Sequence, residues 1–95
     1  MISYRTVPIV TAATVTQNLP EQAAEVLSVV GLAGAATSIA ATQYTVVATT
    51  PGAGQVEFTG TPEAPSATLT FNAALTAAGL LIVTYRPVGA IQADD

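Results

Sequence analysis

Polar and apolar residues alternate most clearly in the stretch from Ala67 to Pro87. Ala67, Leu69 and Phe71 alternate with Thr68, Thr70 and Asn72; after Gly79, Leu81, Val83 and Tyr85 alternate with Leu80, Ile82 and Thr84. Alternation at period two puts successive side chains on opposite faces of a strand. The second of these strands is apolar on both sides until Thr84. That pattern predicts a strand lying centrally in a sheet, or one whose outer face is covered by another chain.

Upstream, Met1 to Val10 reads as an extended arm, with Pro8 keeping it off the centre of a sheet because proline removes a ladder donor. Ala12 to Gln17 reads as a short strand with Val15 inward and Thr14 and Thr16 outward. Asn18-Leu19-Pro20 reads as a turn, since Pro20 restricts Leu19 to extended geometry. Glu21 to Leu32 fits two patterns. Ala23, Val26, Leu27 and Val30 would share one face of a short helix, whereas Val26, Ser28 and Val30 would share one side of a strand. The β-branched content and Gly31 favour a strand over Glu25 to Leu32, with Glu21 to Ala24 as its lead-in. Gly34 to Thr42 is a small-residue connection with room for one helical turn.

Gln43 to Thr49 is a strand with Tyr44, Val46 and Ala48 on one face. The turn chemistry of Thr50-Pro51-Gly52-Ala53-Gly54 leads to Gln55 to Thr59, with Val56 and Phe58 inward and Glu57 outward, so a hairpin is expected. Gly60 to Ser66 is a surface loop with two prolines. These elements predict an all-β fold, a small immunoglobulin-like sandwich or partly open barrel of six or seven strands. The expected layout is an extended N-terminal arm (1–10), one β-sandwich domain (11–89) and a C-terminal tail (90–95).

Composition changes this picture in one respect. Ala (19), Thr (15) and Val (11) make up nearly half of the 95 residues, so the core is expected to be thin. Without cysteine, no disulfide or thiolate metal site can reinforce it. Only Arg5, Arg86, Glu21, Glu25, Glu57, Glu63, Asp94 and Asp95 are charged. A monomer of this mass exposes roughly 5,000 Å², or about one charge per 600 Å², well below the density usual for a soluble surface. Coverage of much of the surface by other copies or by a partner is therefore expected. The net charge of −4 argues against nucleic-acid binding, which needs a basic footprint, and there is no polybasic membrane patch. The opening residues lack the basic and long apolar regions of a signal peptide, so synthesis in the cytoplasm is expected.

The chain has no histidine and no cysteine, which excludes Ser–His and Cys–His triads and most zinc sites. Glu57 and Glu63 flank a turn, but nothing near them in sequence would separate their pKa values for acid–base work. Glu21 with Glu25, or Asp94 with Asp95, falls short of the six to eight oxygens of a calcium site. No catalytic residue, cofactor or metal ligand is assigned, and no enzymatic activity is expected. Tyr4, Tyr44 and Tyr85 suggest a stacking platform only until parity is considered, since Tyr44 and Tyr85 fall on the inward side of their strands. Arg5 and Arg86 read as polar anchors of an interface, at least one pairing with a carboxylate of a neighbouring copy.

The succession Gln43-Tyr44-Thr45-Val46, a Gly-rich turn, Ala67-Thr68-Leu69-Thr70-Phe71, Ala73-Ala74-Leu75 with Ala78-Gly79, and Ile82-Val83-Thr84-Tyr85 resembles the small β-sandwich modules of tailed-bacteriophage virion proteins. Immunoglobulin-like repeats of bacterial surface proteins carry similar text. The resemblance covers roughly Gln43 to Arg86. It implies a capsid decoration or cement protein, made in the host cytoplasm and located in the virion, often trimeric, that binds the major capsid protein or another virion component and reinforces the head lattice. The expected interface comprises Tyr4, Arg5, Val7, Ile9, Leu80, Ile82 and Arg86. The alternatives are a small tail or neck component, or a module that recognises a host protein or glycan through the loops Thr50 to Gly54 and Gly60 to Ser66.

Overall fold

The computed structural model describes residues 3–32 and 42–88, which form six strands and no helix. They are β1 (Arg5–Val10), β2 (Thr16–Gly31), β3 (Thr42–Val47), β4 (Gln55–Glu57), β5 (Ser66–Phe71) and β6 (Leu80–Pro87). The all-β expectation holds. One sheet runs in the order β1-β6-β2-β3-β4-β5 and closes on itself through a second pairing of β2 with β5. Of the two expected forms, this is the partly closed barrel.

The closure depends on the length of β2, whose sixteen residues serve three neighbours. Its first part, Thr16 to Asn18, pairs with β5; its second part, Ala23 to Gly31, pairs with β6; and Val29 to Gly31 also pair with β3. The Asn18-Leu19-Pro20 turn does not form, because β2 runs straight through it. Pro20 sits where the ladder shifts register between Asn18 and Ala23, a place where a missing N–H is tolerated. Further shifts fall between Ala23 and Glu25 and between Val26 and Ser28. Such bulges bend a strand and re-aim its side chains.

Three other expectations are corrected. Residues 11–15 are not a strand, and Val15 is 41% exposed rather than inward. The inward side chain is Gln17, whose amide fastens to the backbone of Ala12 and Thr14. The expected β3–β4 hairpin is absent, for β4 runs parallel to β3, with Thr45, Val46 and Val47 beside Gln55, Val56 and Glu57. A three-residue register requires the chain to retrace only about 7 Å at roughly 3.3 Å per residue. The turn ending in Gly54, at φ 76°, achieves this, and Thr45 N donates to Gly54 O. The N-terminal arm is not separate from the domain. Arg5 to Val10 pair in full with β6, and Pro8 lies on the edge strand, as its missing donor requires. The connection 34–42 falls outside the described residues except for Thr42, which opens β3. The tail beyond 88 also lies outside them.

Strand β6 lies between β1 and β2, the central position its two-sided apolar pattern predicts, and its burial alternates strictly. Leu81, Val83, Tyr85, Val29, Val56 and Leu69 are fully buried. Tyr44 and Phe71 meet edge to face with centroids 4.9 Å apart. Among the five aromatic residues only Tyr4 is exposed. Aromatic rings thus supply the volume that the many alanines cannot.

Two local features carry predictions. A Cβ on Gly60 would stand 2.5 Å from Phe58 Cζ and 2.8 Å from the backbone nitrogen of Ser66, and Phe58 is buried. Gly60→Ala is therefore expected to cost about 2 kcal/mol through overpacking, read as a lowered urea midpoint with an unchanged slope.

The second concerns the free edge of β1. Thr11 N donates to Gly79 O, continuing the β1–β6 ladder. The odd-numbered residues of β1 therefore turn their backbone groups toward β6, and Thr6, Pro8 and Val10 turn theirs outward. The edge carries a proline at its centre, which interrupts pairing with a further strand. Pro8→Thr restores the donor and is expected to fold normally but aggregate faster with concentration, measured by light scattering.

Candidate interaction surface

Register places side chains from β1, β6 and β2 side by side on the two faces of this three-stranded region. The inner face carries Ile9, Leu81 and Gly31, then Val7, Val83 and Val29, then Arg5, Tyr85 and Val26. The outer face carries Val10 beside Leu80, then Pro8, Ile82 and Val30, then Thr6, Thr84 and Ser28. Leu32 extends the first of these rows, its N donating to Leu80 O. Arg86 and Glu25 form the fourth row, and Tyr4 joins it through a hydrogen bond.

The outer face is thus graded along the strands. Two rows are apolar, one is made of hydroxyls, and the last is charged. Val10 is 72% exposed, and Leu27, at the Val26/Ser28 bulge, 49%. Leu80, Ile82 and Val30 are half-buried. In the hydroxyl row Thr6 and Thr84 share a hydrogen bond of 2.9 Å.

The two arginines occupy opposite faces at the same end of the sheet. On the inner side Glu21 pairs with Arg5 and accepts a 2.6 Å hydrogen bond from the Tyr85 hydroxyl. Burial, and then this bond, push the Tyr85 hydroxyl up to about 12. On the outer side the Tyr4 hydroxyl donates to Glu25 at 3.1 Å, and Arg86 Nε lies 3.9 Å from the same carboxylate. Desolvation, and then the Glu25 bond, raise the Tyr4 pKa. Arg86 Nε is buried and has no hydrogen-bond partner among the described residues. Each arginine thus lies within 4 Å of a carboxylate of its own chain.

The seven residues expected at an interface do not share one surface. Arg5, Val7 and Ile9 lie on the inner face, where Val7 and Ile9 pack against the core. Tyr4, Leu80, Ile82 and Arg86 lie on the outer face. There they are joined by Pro8, Val10, Val30 and Leu32, which sequence reasoning missed because strand partners, not spacing, bring them together. Tyr44 and Tyr85 are buried and Tyr4 is outside, so the three form no platform. Glu57 is half-buried on β4, and Glu63 is exposed in the following loop. Glu21 and Glu25 reach opposite faces, and no metal-ligating cluster occurs among the described residues. These residues also enclose no pocket and include no helix long and apolar enough to cross a membrane.

No family model, no curated protein and no solved structure matches this chain.

Proposed function

We propose that this protein is a non-enzymatic virion structural protein of a tailed bacteriophage, a capsid decoration or cement module that associates with its own copies and binds the head lattice. The observation that carries this reading is the outer face of β1, β6 and β2, whose first two rows expose Val10 and Pro8 and leave Leu80, Ile82 and Val30 only half-buried, without a charge among them. Large apolar side chains arranged flush on a sheet face favour contact with a second surface. The resemblance of Gln43 to Arg86 to virion modules supplies the setting.

The size of the face indicates how such a module works. Three strands about 4.8 Å apart and seven residues long at about 3.3 Å each give roughly 320 Å². At about 25 cal/mol per Å² the two apolar rows, about half of this area, yield about 4 kcal/mol for each surface covered, against the roughly 4 to 15 kcal/mol lost on association. A single contact is weak. Repeated over a lattice, many such contacts resist shell opening together, and reinforcement of the head is mechanical rather than chemical.

Antibody labelling of particles released by the strain that carries this gene tests the proposal by electron microscopy. Label on heads is the expected result. Label on tails or necks reassigns the module within the virion, and its absence from all particles overturns the reading.

A further inference from the structure

We propose that the outer face pairs with the same face of a second copy about a two-fold axis running along β6, so that two β1-β6-β2 layers stack with their strands aligned. The pairing deepens the assembly reading above and rests on it.

The gradient along the strands selects the partner and the axis. With the axis along β6, each row meets its own kind. Leu80 and Ile82 cover their own counterparts, Val10 covers Leu32 and Pro8 covers Val30, while Thr6, Thr84 and Ser28 meet hydroxyls. A two-fold axis across the strands would instead lay Arg86 on Leu80 and Glu25 on Leu32, taking charges out of water against hydrocarbon. Aligned stacking is also a favoured geometry for two twisted sheets, about 30° apart in direction.

Charge favours a second copy over another partner. The fourth row carries one cation and one anion, so it is neutral overall: Arg86 faces its counterpart on the axis, and a Glu25 carboxylate from each copy flanks the two guanidinium groups. Among the described residues Arg86 Nε has no hydrogen-bond partner, and it stands 3.9 Å from Glu25 of its own chain. Stacking β6 on β6 lays β2 over the other copy's β1, which brings a second Glu25 carboxylate to the row that holds Arg86. Pairing through the edge of β1 is disfavoured by Pro8, which leaves the face as the route. A two-fold pair, rather than the trimer implied by the resemblance, fits this surface. Its area is under half of the about 800 Å² that each partner of a stable complex buries, so the pair forms at high local concentration, as on an array.

The chain has no cysteine, which makes single-cysteine trapping clean. Leu80→Cys and Thr84→Cys each place a thiol on β6 opposite its own counterpart, and Thr61→Cys, on an exposed loop, is the control. Folding of each variant is checked by circular dichroism. Under mild oxidation of the concentrated protein, both β6 variants are expected to form disulfide dimers several-fold faster than the control. Rates equal to the control for both overturn the pairing. A mixture of Leu80→Cys and Arg86→Cys that forms heterodimers faster than either forms homodimers overturns the axis. Antibody labelling on heads together with no β6 cross-link would fail this inference and leave the decoration reading in place.

Discussion

Replacing Tyr85 by alanine is expected to lower the folding free energy by about 4 kcal/mol, the range found for removing a buried aromatic ring. Tyr85 is the largest of the fully buried side chains. It stands on the central strand between Arg5 and Val26, so the cavity would open where β1, β6 and β2 meet. A domain of this size has only about 5 to 14 kcal/mol in total, and the variant should be largely unfolded at modest urea. Tyr85→Phe separates ring from hydroxyl. It keeps the packing and removes the 2.6 Å bond to Glu21, while Arg5 still pairs with that carboxylate. A loss of about 1 to 2 kcal/mol is expected.

The hydroxyl also gives the protein an alkaline limit. Its folded pKa is about 12, above the ordinary value of 10. The unfolded chain therefore releases this proton first. The contribution of this group to stability is fully present below pH 10 and is lost as pH rises from 10 to 12. Tyr4 and Tyr44 are also raised, Tyr44 by burial, and contribute with the same sign. Urea midpoints measured from pH 8 to 12 should fall steeply above 10 in the wild type and less steeply in Tyr85→Phe. An equal slope in both would show that Tyr85 is not the main contributor.

Gln17→Leu is expected to cost about 3 kcal/mol, although it exchanges a buried amide for a hydrocarbon of similar size. The amide accepts from Ala12 N at 2.9 Å and donates to Ala12 O at 2.8 Å and Thr14 O at 3.0 Å. Leucine would leave three backbone groups without these partners, at about 1 kcal/mol each. The damage should spread in one direction. Thr14 O and Val15 O accept from Leu75 N and Phe71 N, so loosening the 12–15 segment frees the end of β5 and the loop after it. Hydrogen exchange at Phe71 and Leu75 should accelerate more than at Val83. Uniform acceleration would mean that Gln17 acts only on global stability.

Strands with unbroken alternation were legible in the sequence. The inward sets Leu69 and Phe71, Val56 and Phe58, and Leu81, Val83 and Tyr85 all follow from parity, and each is buried. Strand β2 was harder for a physical reason. Its bulges shift parity, so the inward residues Leu19, Ala23, Val26 and Val29 are spaced by four, three and three. That spacing mimics a helical face, and it produced the two competing patterns over Glu21 to Leu32. Proline at position 20 looked like a turn because its local preference for extended geometry suits a strand equally well.

Partnership was not legible. The parallel pairing of β3 with β4 depends on how far a short turn lets the chain retrace its path, which residue types alone do not specify. The outer face was only half visible for the same reason. Leu80, Ile82 and Arg86 could be read from one strand, but Pro8, Val10 and Val30 join them only once β1 and β2 are known to flank β6. Likewise Arg5 and Arg86 looked alike in sequence, each following a tyrosine, until opposite parity placed one on each face.

The central claim is that the outer face of β1, β6 and β2 is an association surface, and sedimentation equilibrium from about 10 µM to about 1 mM, the range suited to so small an interface, tests it most directly. The wild type is expected to rise from 9.5 kDa toward twice that mass at the upper end, while Ile82→Glu stays at the monomer mass. A wild type that remains at the monomer mass throughout, or an Ile82→Glu variant that associates as well as the wild type, would contradict it.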